Sequence, residues 1–200
     1  MELRKIQIVL ALLVTQFVSA QIINVQPYLQ DATPNSIFIM WESNFSSESI
    51  VEWGLSDTLG NITEGTSFNS LGDAMIHEVK LDGLERFTKY YYRVRTGDAI
   101  SDIFHFKTPP FASDNKSFRI AAMSDMQRNA NNPDQYEEII QDGIIDYLKD
   151  EFGGDIEDNL AFVMIPGDLV RNGNDYNRWG NEFFKPSHGL INNGTNCPNV

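Results

Sequence analysis

A single cysteine, Cys197, stands in the 200 residues. No disulfide can therefore form within the chain, and no cysteine cluster can hold a metal. Histidine is almost as scarce, with three in all. Positive charge is also short: 15 Lys and Arg face 28 Asp and Glu, a formal net charge of −13. That balance argues against nucleic acid and anionic membrane as partners. It leaves room for a small phosphoester, because bound cations reverse the local field. After the first twenty residues no apolar run is long enough to cross a bilayer. No glycine-rich phosphate loop follows Ser124, which disfavours a nucleotide-binding crossover.

The first residues carry a different pattern. Arg4 and Lys5 give a positive start, Ile8 to Val14 form an apolar stretch, and Val18-Ser19-Ala20 fits a small-residue cleavage site before Gln21. The competing reading is a membrane anchor, but Thr15 and Gln16 interrupt the stretch and leave it short. Residues 1–20 are thus expected to be a signal peptide cut between Ala20 and Gln21. A secreted or periplasmic protein without a transmembrane segment would result. Asn-x-Ser/Thr sequons at Asn44, Asn61, Asn115 and Asn193 read as Asn-rich surface loops.

Residues 21–112 read as an all-β sandwich. Ile37, Ile39 and Trp41 alternate, as do Val51 and Trp53, Val79 and Leu81, Tyr90, Tyr92 and Val94, and Phe104 and Phe106. Turn residues separate these runs at Thr33-Pro34-Asn35-Ser36, Leu59-Gly60-Asn61, Leu71-Gly72-Asp73 and Thr96-Gly97-Asp98. Several short strands at this spacing predict two packed sheets. His77 shares a face with Val79 and His105 faces away from Phe104. Both are expected to be ordinary sandwich side chains, since no acidic partner lies at ligand spacing in sequence. Pro109-Pro110 ends the module and opens a linker that runs to Asn115.

From residue 116 the pattern changes to α/β. Phe118 to Met123 reads as a buried strand, and Leu160 to Ile165 as a second one. Between them Asn132 is a candidate N-cap, Pro133 suits the first helical position, and Gln135 completes a capping box. Tyr136, Ile139, Ile140, Ile144, Tyr147 and Leu148 form the predicted apolar stripe, and Gly153-Gly154 stops the helix. A crossover of this length makes the strands parallel. Asp125 and Asp168 then stand at carboxyl ends of the strands, the edge where open α/β sheets bind ligands. Two carboxylates this close repel each other, and a divalent metal relieves that repulsion.

These residues carry a resemblance. Leu81 to Tyr90 resembles the tyrosine corner of fibronectin type III domains, with Tyr90 as the corner tyrosine and Trp41 as the core tryptophan; Arg86 stands where proline is frequent. Residues 22–200 resemble the front part of a purple-acid-phosphatase-like protein, in which a fibronectin-like module precedes a calcineurin-like metallophosphoesterase domain. Phe118 to Asp125 resembles the first metal motif and Ile165 to Gly173 the second. Trp179, Phe183, Phe184, Pro186 and Leu190 resemble the helix after it. The resemblance implies three segments: a leader over 1–20, the fibronectin-like domain over 21–112, and the first part of the metallophosphoesterase domain over 116–200. It implies that Asp125 binds one metal and Asp168 bridges two, the ions being Fe, Zn, Mn or Mg. Hydrolysis of a phosphoester small molecule by a metal-activated water would follow.

Two positions depart from the family pattern. Gln127 stands where metallophosphoesterases carry histidine, although its amide oxygen suits a hard cation. Arg171 stands where purple acid phosphatases carry tyrosine, which disfavours an iron–tyrosinate centre. Asn172, next to it, matches the wider phosphoesterase pattern near the substrate. The family's Gly-Asn-His-Asp/Glu motif does not occur before Val200, and His188, expected on a loop, matches no family histidine. The chain is thus expected to be a fragment with little activity alone. The alternative is a non-catalytic exported fibronectin-type binding or adhesion protein with a degenerate hydrolase remnant.

Overall fold

A computed structural model describes residues 21–70, 72 and 74–191. The expected leader with Ala20, the turn residues Leu71 and Asp73, the Leu190 side chain, the Asn193 sequon and Cys197 lie outside the described residues.

Nine strands build the first module: β1 (Ile23–Thr33), β2 (Ser36–Ser43), β3 (Ile50–Gly54), β4 (Asn61–Glu64), β5 (Thr66–Asn69), β6 (Met75–Asp82), β7 (Lys89–Thr96), β8 (Ala99–Ile100) and β9 (Phe104–Lys107). One antiparallel sheet runs β1-β2-β6-β5. The other runs β4-β3-β7-β8, with β9 also paired to β7. The alternating residues of the sequence fill the space between them: Ile39, Trp41, Val51, Val79, Leu81, Tyr92, Val94 and Phe106 are fully buried. Trp53 packs at the edge of this core and meets Tyr90 edge-on at 5.7 Å. The sequence pattern did not reveal β1, because register shifts against β2 on either side of Val25 and after Gln30 break its alternation.

The tyrosine corner is formed. Tyr90 hydroxyl accepts a hydrogen bond from the Glu85 backbone N–H at 2.8 Å. Arg86 has its own role there: it pairs with Asp114 at 2.9 Å and lies over the Phe111 ring at 5.2 Å. The linker after Pro109-Pro110, including a 3₁₀ turn over Ala112–Asp114, is thereby fastened to the sandwich.

His77 is a core residue, as expected from its face. Its ring stacks on Trp41 at 4.7 Å, and its two nitrogens meet Ser43 Oγ and Ser49 Oγ, each at 2.8 Å. Ser49 donates its one hydroxyl proton to the Thr66 carbonyl at 3.0 Å. Ser49 must then accept from Nδ1–H, which leaves Nε2 to accept from Ser43. Burial lowers the His77 pKa to about 4, so the neutral ring is the stable form.

The second unit begins with β10 (Ile120–Ala122), which pairs in parallel with β11 (Phe162–Met164) as predicted. Between them lies a helical run made of α1 (Gln135–Glu138), a π-helical stretch (Ile139–Asp146) and α2 (Tyr147–Phe152), then the short α3 (Ile156–Asn159). The run starts later than expected. Its N-cap is Asp134 rather than Asn132, and no side chain caps it. Gly153, at φ 67°, ends it as expected. The predicted stripe is also narrower. Tyr136, Ile140 and Leu148 are buried, whereas Ile139 and Tyr147 face solvent. The wide i→i+5 turns explain this: residues four apart stay on one face while their neighbours rotate off it.

Neither strand of this sheet is covered on both faces. Val163, Ile165 and Leu160 are buried beneath the helical run, but Ile120, Ala122 and Met164 are exposed. The reading of Phe118 to Met123 as a buried strand is therefore corrected: Phe118 and Ile120 are exposed, and among the described residues the helices cover one face only. After β11 come α4 (Tyr176–Arg178), a second π-helical stretch (Trp179–Phe184) and α5 (Lys185–Ile191). Pro186 has no N–H to donate to the preceding turn, and the adjacent widening accommodates it. Among the described residues no helix is long and apolar enough to cross a membrane.

Candidate metal centre

Parallel pairing of Ala122 with Met164 brings the loops after β10 and β11 side by side. Their backbones touch: Met126 N–H donates to the Asp168 carbonyl at 3.2 Å, and Ser124 Oγ lies 3.5 Å from the Gly167 carbonyl. Asp125 and Asp168 are both exposed at this edge, and both hold left-handed backbone, at φ 59° and 53°. Aspartate is one of the few residues that visits this conformation in turns, and Asp31 holds it as well, at φ 48°. Gly167, at φ 156°, makes the preceding turn in a conformation that a side chain would resist.

The five predicted site residues do not all share one cavity. Asp125 and Gln127 line a cleft of about 610 Å³ together with Ser124, Arg128, Glu182 and Lys185. Asp168, Arg171 and Asn172 do not line it. Ser124 Oγ donates to Asp125 Oδ2 at 2.8 Å and orients that carboxylate. Arg171 spans the two loops, donating from Nη2 to the Arg128 carbonyl at 3.1 Å. Asn172 is occupied locally: its Oδ1 accepts from the Asn174 N–H at 3.1 Å.

Glu182 is the residue that sequence reasoning missed. Its carboxylate is buried, accepts the Arg171 backbone N–H at 2.9 Å, and pairs with Arg178. It thereby fixes the loop that follows Asp168. The one available signal was its i,i+4 spacing from Arg178 on a helix.

The donor set is made of oxygens: two carboxylates and, from Gln127, one amide. That chemistry suits hard cations. Three side chains fall short of two complete coordination shells. The remaining histidines add nothing here. His188 lies in α5 rather than on a loop, edge-on to Phe104 at 5.9 Å, and burial lowers its pKa against an opposing pull from Asp102.

His105 corrects an expectation. An acidic partner does reach it, from 52 residues away: its Nδ1 lies 2.7 Å from Oε1 of the buried Glu157, and Asp155 is close by. Among the described residues this is the one group of three His, Cys, Asp or Glu with ligand atoms in metal-binding range. Lys89 already occupies it, pairing with Glu157 at 2.8 Å and with Asp155. Lys89 supplies a cationic partner, yet Glu157 Oε1 and Oε2 and His105 Nδ1 are buried without a well-aligned hydrogen bond.

The family profile described as "Purple acid Phosphatase, N-terminal domain" matches residues 23–108. Among solved structures, purple acid phosphatase PPD1 from yellow lupin (Lupinus luteus) seeds superposes with a TM-score of 0.63 at 19% identity, over 86% of this chain and 34% of that one. A structure of PhoD gives a TM-score of 0.60 at 15% identity, over 88% of this chain and 38% of that one. The chain thus spans little more than a third of either protein's length. At these identities the likeness establishes the fold, and that fold covers both the sandwich and the β10–β11 unit. The chain carries a purple-acid-phosphatase-type N-terminal domain over residues 23–108, followed by the opening strand–helix–strand unit of an α/β domain.

Proposed function

We propose that this chain is the front part of an exported metal-dependent phosphoesterase, of acid phosphatase or phosphodiesterase type. The observation that carries the reading is the pair Asp125 and Asp168, both left-handed, at neighbouring carboxyl ends of parallel strands joined by the Met126–Asp168 hydrogen bond. Two ions among Fe, Zn, Mn and Mg would supply the Lewis acidity and water activation that phosphoester hydrolysis needs. Asp125, oriented by Ser124, offers one carboxylate to them. Asp168 offers the second, and Gln127 an amide oxygen. Arg171 holds the two loops together, and Glu182 holds the loop after Asp168. The likeness to a purple acid phosphatase and to PhoD supports the reading at the level of fold.

The test is hydrolysis of an aryl phosphate by the full-length, metal-loaded protein. Asp125→Asn and Asp168→Asn should each lower kcat/KM by about 100-fold or more while the fold survives. A second reading rests on Gln127 and Arg171, which stand where the family resemblance would place histidine and tyrosine. On that reading the protein is a non-catalytic exported binding or adhesion protein, and a folded, metal-loaded protein without hydrolysis would favour it over the first.

A further inference from the structure

Among the described residues three glutamates are buried: Glu42, Glu157 and Glu182. Glu157 pairs with Lys89 and His105, and Glu182 pairs with Arg178. Glu42 has no cationic partner among the described residues. It sits on β2 at the register of Ile76, on the face opposite Ile39 and Trp41, so it points out of the sandwich. The second unit covers that face: the Tyr176 hydroxyl donates to Glu42 Oε1, and Tyr28 meets Phe184 with ring centroids 5.1 Å apart. Oε2 receives no hydrogen bond from a described residue.

Glu42 also lines a cleft of about 630 Å³ between the two units. Its walls combine Tyr28, Ile76, Tyr176, Trp179 and Phe184 with the polar side chains of Asn24, Ser70, Asn177 and Asn181. Tyr176 closes off Oε1, Oε2 stays open to the cleft, and a carboxylate with no cation beside it attracts one. Aromatic rings line the same cleft, and a cation that reaches a ring face is attracted to it. Burial, with help from the hydrogen bond and charge of Glu42, raises the Tyr176 pKa to about 12, which keeps its hydroxyl a donor.

We propose that this interdomain cleft binds a small organic ammonium: the ammonium N–H groups donate to Glu42 Oε2, and an apolar or aromatic body lies against Tyr28, Trp179 and Phe184. Charge complementarity selects this occupant over a neutral one. The cleft shares Asn181 with the one lined by Asp125 but holds none of the predicted metal-site residues, and the inference does not depend on phosphoester hydrolysis.

Titration of the full-length protein with benzylammonium, and in parallel with benzyl alcohol, tests it by calorimetry. The alcohol matches the ammonium in shape and lacks its charge. The expected result is binding of the ammonium at least about tenfold tighter than the alcohol, equivalent to about 1.4 kcal/mol. Glu42→Gln keeps an acceptor for Tyr176 and removes the charge; it should abolish the preference. Tyr176→Phe removes the hydroxyl and should preserve it. Equal binding of the two probes would overturn the proposal. So would a Glu42→Gln variant that keeps the preference. Absence of binding by the wild-type protein would overturn it as well, leaving Glu42–Tyr176 as a tie between the two units or the cleft as the seat of another stretch of polypeptide. The comparison of probes on the wild-type protein needs no variant to fold.

Discussion

His77 shows how much one buried residue can impose. Its ring is fully buried, its two nitrogens are matched to two serine hydroxyls, and the neutral form is the one that fits. Burial lowers its pKa to about 4 from an ordinary 6.5. The unfolded chain therefore binds a proton between these values that the folded chain refuses. Stability from this residue is complete above pH 6.5 and is lost as pH falls toward 4, by up to about 3 kcal/mol. Urea unfolding midpoints measured from pH 7 to pH 4 should fall over that window, and His77→Gln should flatten the fall while lowering stability at pH 7. Alternation of His77 with Val79 placed the residue in the core from the sequence. The serines that satisfy it were not legible, because Ser43 and Ser49 lie 34 and 28 residues away.

At the scale of elements, periodicity carried the sandwich and the crossover and failed where the backbone departs from its regular period. The two-residue alternation of β2, β6, β7 and β9 matched their buried faces because those strands run without bulges. β1 has register shifts and stayed hidden. The helical run between β10 and β11 was legible as a helix, but a stripe drawn at 3.6 residues per turn misassigned Ile139 and Tyr147 across its π-helical middle. The difference is measurable. Ile140 is 2% exposed against the second core, so Ile140→Ala should cost about 3 kcal/mol. Tyr147 is 57% exposed, so Tyr147→Ala should stay within about 0.5 kcal/mol. Comparable losses at the two positions in thermal unfolding would mean a regular α-helix with the wider stripe. The candidate site divides in the same way. Asp125 and Asp168 were legible because each ends an apolar run, whereas Glu182 was not, because it acts through the Arg171 backbone N–H across eleven residues.

In the whole molecule, two units meet through contacts that no local pattern records. One is the aromatic cleft around Glu42. The other is an ion-pair seam between the outer face of β7 and β9 and the segment around α3: Lys89, His105 and Lys107 face Asp155, Glu157 and Asp158. Glu157 is its centre, with a side chain wholly buried between Lys89 and His105. Removing its charge leaves Lys89 and His105 beside a neutral amide in a site built for an anion. Glu157→Gln should therefore cost about 3 kcal/mol, the scale of breaking a buried pair from one side. The seam has a defined pH range. The hydrogen bond from Lys89 holds Asp155 below its ordinary 3.8, so its contribution is present above that value and fades as pH falls through the lowered one. Burial pulls the Lys89 pKa down, but hydrogen bonds and charge from Asp155 and Glu157 outweigh it, and the net shift is upward from 10.5. Its contribution is complete below 10.5 and fades only at more alkaline pH. Amide hydrogen exchange over residues 155–160, compared at one pH above the range in which histidines titrate and corrected for intrinsic rates, should be slow in the wild-type protein and faster in Glu157→Gln. Protection in that segment unchanged by the substitution would show that apolar contacts such as Tyr28 on Phe184, rather than the seam, hold the two units together.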